Sequence, residues 1–480
     1  MSWACIALPH LALDGVLRQR TDAHAPLALM DGPPHARVLM DVNEAAARAG
    51  LRAGQPLTAA RALLGQFEAV PFDAAAMEHS HRFLAAVAYR YSSEVALLPD
   101  AIVLEVGHSR ALFGPWPKLA RRLGDDLAQL GFRHRLAAAP TLHAARALAE
   151  HADGSAILDA KDLRASLSRL PVSHAGLQEE IAATLMQMGL RTLGQVLDAP
   201  RDGLRRRFGN ALLQALDRLT GAAPDGLARY RPPDRFAQRI EFEPEVGNLA
   251  ALLFPLRRLT GDLAAYLSGR DGGVQRFTIE LEHRANDSTR VQVGLLEPLR
   301  DPEALFEFSR GRLEAQRLHA PVRLMRVLAD ELPPFVPAGR DLFDRRPVHA
   351  LTMMQLRERL RARLGDDAIY RLHDTPDPRP ERAQDNMISA FLLKGKAGRD
   401  DEAVIHETPP RPTWLLDRPI PLRGSAPELI AGPERLETGW WDGEPVRRDY
   451  YVAKTAEGQR AWIFCATGSQ GPWMLHGWFA

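Results

Sequence analysis

Over residues 1–165, strand-like and helix-like patterns alternate, which restricts the first third of the chain to a mixed α/β domain. A strand over residues 3–8 opens this region and runs into Pro9-His10-Leu11-Ala12-Leu13. Asp100-Ala101-Ile102-Val103-Leu104-Glu105-Val106 reads as another strand, closed by the turn Gly107-His108-Ser109. Leu112-Phe113-Gly114-Pro115 forms a second break before a helix over residues 117–130. Between residues 170 and 221 the pattern becomes short amphipathic helices broken at Gly176, Gly189, Gly194, Pro200 and Gly209, as in a compact helical subdomain with tight turns. Strands return over residues 235–332 around two helices; Phe277-Thr278-Ile279-Glu280-Leu281-Glu282 alternates, and residues 249–267 repeat with helical period.

Past residue 332 the character changes. Pro333-Pro334-Phe335-Val336-Pro337 begins a stretch of mixed order, and residues 374–380 place three prolines among polar residues, which reads as a linker. Six of the eight tryptophans fall at or after Trp414, in a segment whose residues 448–479 carry three strand-like runs. Thr455-Ala456-Glu457-Gly458 and Gly468-Ser469-Gln470-Gly471-Pro472 separate those runs, so a small terminal β-meander is expected. Five segments follow: 1–165, 166–228, 235–332, 333–408 and 409–480.

Composition removes several classes of function. No apolar run approaches the roughly 18 residues a membrane span needs, so no membrane partner is expected. The N-terminus lacks a basic stretch followed by an apolar one and a small-residue cleavage site, and a cytoplasmic location is expected. Cys5 and Cys465 are the only cysteines and lack metal-ligand spacing; both are expected to be buried small hydrophobes. The net charge of +1 confines any nucleic-acid footprint to local patches.

Several motifs, taken in order, carry a resemblance over residues 1–332. Asn43-Glu44-Ala45-Ala46-Ala47-Arg48-Ala49-Gly50-Leu51-Arg52-Ala53-Gly54 is similar to a fingers helix and its Gly-x-x-x-Gly turn, and Leu112-Phe113-Gly114 to an "LFG" motif. Leu170-Pro171-Val172, Gly176-Leu177, Met188-Gly189-Leu190-Arg191-Thr192-Leu193-Gly194 and Arg207-Phe208-Gly209 resemble a helix-hairpin-helix thumb. Together they resemble the Y-family, or lesion-bypass, DNA polymerases. That resemblance implies an α/β palm with fingers, a helix-hairpin-helix thumb and an α+β little finger, followed here by the β-meander extension.

The same resemblance puts the family's chemistry in doubt. Two-metal phosphoryl transfer needs carboxylate oxygens around hard cations. The two aspartates of the first family motif fall on Leu8 and His10, and the "DE" of the second falls on Asp100 and Ala101. The sugar-screening aromatic falls on Leu13, and three triphosphate contacts fall on Glu44, Ala47 and His151. His10 reads as a surface or satisfied core histidine rather than a ligand, Asp100 equally as a turn or strand-start residue, and Glu105 as the partner of a palm arginine. The expectation is no catalysis, no metal and no cofactor. The alternative is a divergent active translesion polymerase using Asp100 with Asp14 or Asp41.

Binding remains possible without catalysis. In the thumb-like segment, Gly176 and Gly189 fall in turns that let backbone amides approach a DNA phosphate without reading sequence, and Arg205, Arg206 and Arg207 add attraction, as do Arg201, Arg229, Arg231, Arg235 and Arg239. Gly176-Leu177-Gln178 departs from the family's Gly-hydrophobic-Gly at its last residue. Gly339-Arg340-Asp341-Leu342-Phe343 is similar to the pentapeptide that docks bacterial proteins on the sliding clamp, with Asp341, Leu342 and Phe343 as its matching positions. Glu437-Thr438-Gly439-Trp440-Trp441-Asp442-Gly443, Arg447-Arg448-Asp449-Tyr450-Tyr451 and Leu475-His476-Gly477-Trp478-Phe479-Ala480 look like the tail of the ImuB-type, non-catalytic Y-family relatives. Resemblance to that group implies a hub in SOS-induced mutagenic translesion synthesis. Its implied partners are DNA, the sliding clamp, a RecA-like ImuA protein and an error-prone C-family DNA polymerase.

Overall fold

The computed structural model describes residues 2–20, 22, 24–284, 287–335, 356–357, 360–361, 370–375, 377–388, 411–422 and 426–479. The chain divides into two compact units, Met1–Ala350 and Leu351–Ala480.

In the first unit, Trp3–Ala7 is an inner strand of a four-stranded antiparallel sheet ordered Val95–Leu98, Ala101–Glu105, Trp3–Ala7, Arg135–Ala139. Every residue of Trp3–Ala7 is buried. Ala4, Ile6 and Leu8 pack toward the helices Ala74–Ala88 and Trp116–Gln129, while Trp3, Cys5 and Ala7 pack toward Leu142–His151 and the helical subdomain beyond it. The unbroken apolar run is thus what a strand covered on both faces requires. A smaller sheet, ordered Val38–Val42, Leu27–Asp31, Glu68–Pro71, carries the helices Glu44–Arg48 and Leu57–Leu63.

The helical subdomain contains Leu163–Leu167, Glu179–Gln187, Leu193–Asp198 and Arg201–Thr220. Gly194 does not break a helix, contrary to the expectation from sequence; it lies inside Leu193–Asp198. A Cβ there would sit 2.9 Å from Ser168, so this glycine serves close helix approach. Thr192 and Gln195 form a reciprocal capping box at the start of the same helix. Gly209, at φ 73°, kinks the Arg201–Thr220 segment into two helices, as the break expected there requires.

Residues 236–329 form an antiparallel sheet ordered Ser288–Leu299, Val274–Glu282, Val322–Ala329, Phe236–Val246. The helices Leu249–Gly269 and Pro302–Glu314 pack on it. Leu256, Leu259 and Leu263 of the long helix join one core with Phe83, Leu84 and Val87 of the Ala74–Ala88 helix. Each such leucine contributes roughly 2 kcal/mol of burial free energy. The two helices come so close that a Cβ on Gly269 would lie 2.0 Å from the Ala86 carbonyl oxygen. Across the same seam, Arg18 reaches Asp262 at 2.5 Å, with side-chain exposures of 7% and 3%. The Arg18 guanidinium also lies over the rings of Phe83 and Phe132.

The second unit holds a five-stranded antiparallel sheet ordered Trp414–Pro421, Met474–Trp478, Arg460–Ala466, Val446–Lys454, Glu428–Thr438. The three expected strands are present, joined by two that the sequence pattern did not show. A two-stranded hairpin, Tyr370–Asp374 with Gln384–Ile388, brackets the linker expected at residues 374–380. Most of the clustered aromatics are core: Tyr450 stacks on Trp462, and Trp473 and Trp478 pack around Ala453, Ile463 and Leu475. Trp414, Trp440 and Trp441 are exposed. Both cysteines are buried and free, as expected. Among the described residues, no helix is long and apolar enough to cross a membrane.

Candidate functional site

Sheet register brings together the two segments compared above with the family's carboxylate motifs. Ala7 pairs with Ala101, and the Leu8 amide donates to the Asp100 carbonyl at 3.1 Å. At this end of the sheet, Leu8 and Ala101 are buried at 3% and 1% exposure, so two of the four compared positions offer hydrocarbon. Asp100 is exposed, and its carboxylate accepts from Arg146 Nη2 at 2.8 Å. Arg146 Nε in turn donates to Glu150 at 2.9 Å. Burial raises the Glu150 carboxyl above its ordinary range, against the attraction of Arg146. The surviving carboxylate of the motif is therefore held by a guanidinium. Arg146 was not singled out in the sequence, although its i,i+4 spacing to Glu150 was a readable signal.

The other compared positions are scattered in role. His10 precedes the helix Leu11–Leu17, and its Nδ1 lies 2.7 Å from Asp41 Oδ2. Leu13 is fully buried with Leu27 and Leu29, so the sugar-gate position is core. Glu44 pairs with Arg48 on an exposed helix, Ala47 is exposed, and His151 sits at a helix end with its ring 5.5 Å from that of His174. Asp14 is buried and bound by Arg133 through the backbone amide at 2.8 Å and through Nε at 2.7 Å. Burial raises its carboxyl, and Arg133 opposes that rise. Glu105 does not pair with a palm arginine; it accepts from the Ser2 and Gly107 amides and lies beside His108. Among the described residues, no group of three or more His, Cys, Asp or Glu is arranged to hold a metal ion.

The turns at Gly176 and Gly209 differ in charge. Gly176 precedes the helix Glu179–Gln187, whose first turn carries Glu179 and Glu180, so an incoming phosphate meets two carboxylates. Gly189 follows that helix and is exposed. The turn at Gly209 follows Arg205, Arg206 and Arg207 instead. Arg205 bonds Asp202 at 2.8 Å, and Arg206 donates to the Asp202 carbonyl at 3.3 Å. Arg207 is exposed and makes no ion pair among the described residues. Arg201 is committed to Asp217 through two bonds of 2.8 and 2.7 Å, which hold the Asp217 carboxyl below its ordinary range. Arg229 is likewise paired with Glu94 and Asp225, and Arg239 with Glu241, whereas Arg231 and Arg235 make no ion pair among the described residues. Asp341, Leu342 and Phe343 lie outside the described residues.

Residues 16–150 match the model of the impB/mucB/samB family. Over 463 residues, covering 90% of this chain and all of the relative, the chain is 28% identical to Protein ImuB of Caulobacter vibrioides strain NA1000 / CB15N. The same figures hold for Protein ImuB of strain ATCC 19089 / CIP 103742 / CB 15. Among solved structures, it is similar to a Y-family DNA polymerase chimera, Dbh-Dpo4(243-245)-Dbh, at 15% identity and a TM-score of 0.40, covering 70% of this chain and 100% of that one. It is also similar to DinB from Sulfolobus solfataricus at 15% identity and a TM-score of 0.38, with the same coverage. The resemblance to ImuB-type chains read from the motifs is borne out by the relatives.

Proposed function

We propose that this ImuB-like chain is a catalytically silent, Y-family polymerase-like scaffold, which brings an error-prone polymerase and the sliding clamp to damaged DNA for mutagenic translesion synthesis. The observation that carries the reading is the end of the inner strand, where Leu8 and Ala101 occupy buried carboxylate positions and Arg146 holds Asp100. A magnesium pair needs several hard oxygen ligands within a few ångströms. A buried leucine and a methyl group supply none. The acids that could replace them are also engaged, Asp14 by Arg133 and Asp41 by His10.

What such a body retains is a surface for attachment. The Gly209 turn with Arg205, Arg206 and Arg207 supports sequence-independent contact with DNA phosphates, because guanidinium groups and helix-start amides suit that ligand. The clamp-like segment at Asp341, Leu342 and Phe343 and the aromatic tail supply the proposed protein contacts. The partners of this reading are DNA, the sliding clamp, a C-family polymerase and a RecA-like ImuA protein.

Reconstitution tests the scaffold role. On a primed template carrying a blocking lesion, the chain should raise bypass by a C-family polymerase loaded with the clamp. Replacing Leu342 and Phe343 together by alanine should reduce that gain. Equal bypass with and without the chain would remove the recruitment role.

A further inference from the structure

A cleft of about 470 Å³ lies between the helices Ala74–Ala88 and Trp116–Gln129 on one side and Leu249–Gly269 on the other. Four arginines, Arg90, Arg257, Arg258 and Arg300, stand on its wall. Three of them are answered by carboxylates: Arg90 by Asp126 at 3.0 Å, Arg257 by Glu303 at 2.8 Å, and Arg300 by Asp271 at 2.7 Å. Arg258 is different. Its Nη1 donates to the Leu130 carbonyl at 3.3 Å, but the nearby carboxylate, Asp262, is already bonded to Arg18. Arg18 also donates to the same Leu130 carbonyl at 2.9 Å. Two guanidiniums thus share one carboxylate and one carbonyl in a half-buried seam.

A cation in that position is under-compensated, since burial weakens its hydration and the neighbouring guanidinium repels it. Both effects push the Arg258 guanidinium below its ordinary value, burial most strongly. An anion entering the cleft supplies the missing charge. Val87, Leu130, Ala264, Ala265, Pro302 and a half-exposed Phe254 give the rest of the wall an apolar part, beside the polar Gln129 and Ser268. That combination suits a small molecule with a charged end and an apolar body, and the volume is of the size that encloses one. An extended polyanion fits poorly, because Asp126 stands on the same wall and Glu303 already answers Arg257.

We infer that this cleft binds a small organic phosphate, whose oxygens take the fork of Arg258 and whose body packs against Phe254 and Pro302. The planar guanidinium donates two parallel bonds to a phosphate or a carboxylate alike, and the phosphate's larger negative charge answers two crowded guanidiniums better than a carboxylate does. The site is separate from the degenerate carboxylate motifs and from the arginines of the thumb-like turn, and it does not rest on the scaffold reading.

Calorimetric titration of the full chain at fixed ionic strength tests the assignment, with phenyl phosphate, inorganic phosphate and benzoate as probes. Phenyl phosphate should saturate one site and bind more tightly than either of the other two. Arg258→Gln should weaken it by at least about tenfold, the loss of one charge-assisted hydrogen-bonding group. Ala265→Phe, which fills the cleft and leaves Arg258 in place, should weaken it similarly and decides the matter if Arg258→Gln unfolds. Absence of saturable binding, equal affinity for benzoate, or unchanged affinity in Ala265→Phe overturns the inference. So does displacement of phenyl phosphate by a single-stranded oligonucleotide at lower concentration than by inorganic phosphate.

Discussion

At the scale of single residues, Leu8 puts hydrocarbon into the core at a position compared with a metal ligand. Its side chain belongs to the core that also holds Ile6 and Ile102, so a carboxylate there loses apolar burial and gains an unpaired polar group. Leu8→Asp is expected to lower unfolding free energy by about 3 kcal/mol or more in denaturant titration, with no recovery on adding magnesium. Arg18 and Asp262 form a second residue-level test. Arg18→Met leaves the buried Asp262 without its bonded partner, with only the charge of Arg258 nearby, and should cost about 3 kcal/mol, whereas Arg18→Met with Asp262→Leu should cost less than the single change. Equal losses in the single and double variants would show that the seam does not depend on this pair.

At the scale of elements, charge separates the turns at Gly176 and Gly209, although their glycines look alike in sequence. Replacing Arg205, Arg206 and Arg207 by alanine should weaken DNA binding uniformly across sequences and lower the salt dependence by about one unit for each phosphate no longer neutralised. Neutralising Arg201, already committed to Asp217, should have a smaller effect on affinity. A salt titration of binding distinguishes the two. Elements with unbroken periodicity were legible from sequence: Ala101–Glu105, Leu249–Gly269 and the last three strands fall where the pattern put them. Trp414–Pro421 and Glu428–Thr438 were not legible, because they are largely exposed, contain prolines and pair with register shifts, leaving no clean alternation. Gly194 read as a break because close approach to Ser168 is a tertiary fact. In the candidate site, motif order singled out Leu8, Asp100 and Ala101, and the sheet register supplied their juxtaposition. The Arg133–Asp14 and Arg18–Asp262 pairs, 119 and 244 residues apart, had no local signal.

At the scale of the whole molecule, two compact units should respond differently to pH. In the second, His476 is fully buried; Tyr450 Oη lies 2.8 Å from its Nδ1, and Arg448 and Glu381 face the same cluster. Burial holds its imidazole below the ordinary value of 6.5. The unfolded chain then takes up the proton first, so this contribution to stability is complete above 6.5 and is lost as pH falls through the lower folded value. Thermal melts should show the second unit weakening on acidification below that point, and His476→Gln should flatten that limb. Losses from Asp442 and Asp449, whose arginine partners hold their carboxyls below 3.8, belong to a more acidic window. The central claim concerns the first unit: a polymerase-like body without its chemistry. Primer extension by the purified chain alone, with all four deoxynucleotides and magnesium or manganese, tests it most directly. The account predicts no extension above the no-protein control, and robust incorporation abolished by Asp100→Ala would contradict it.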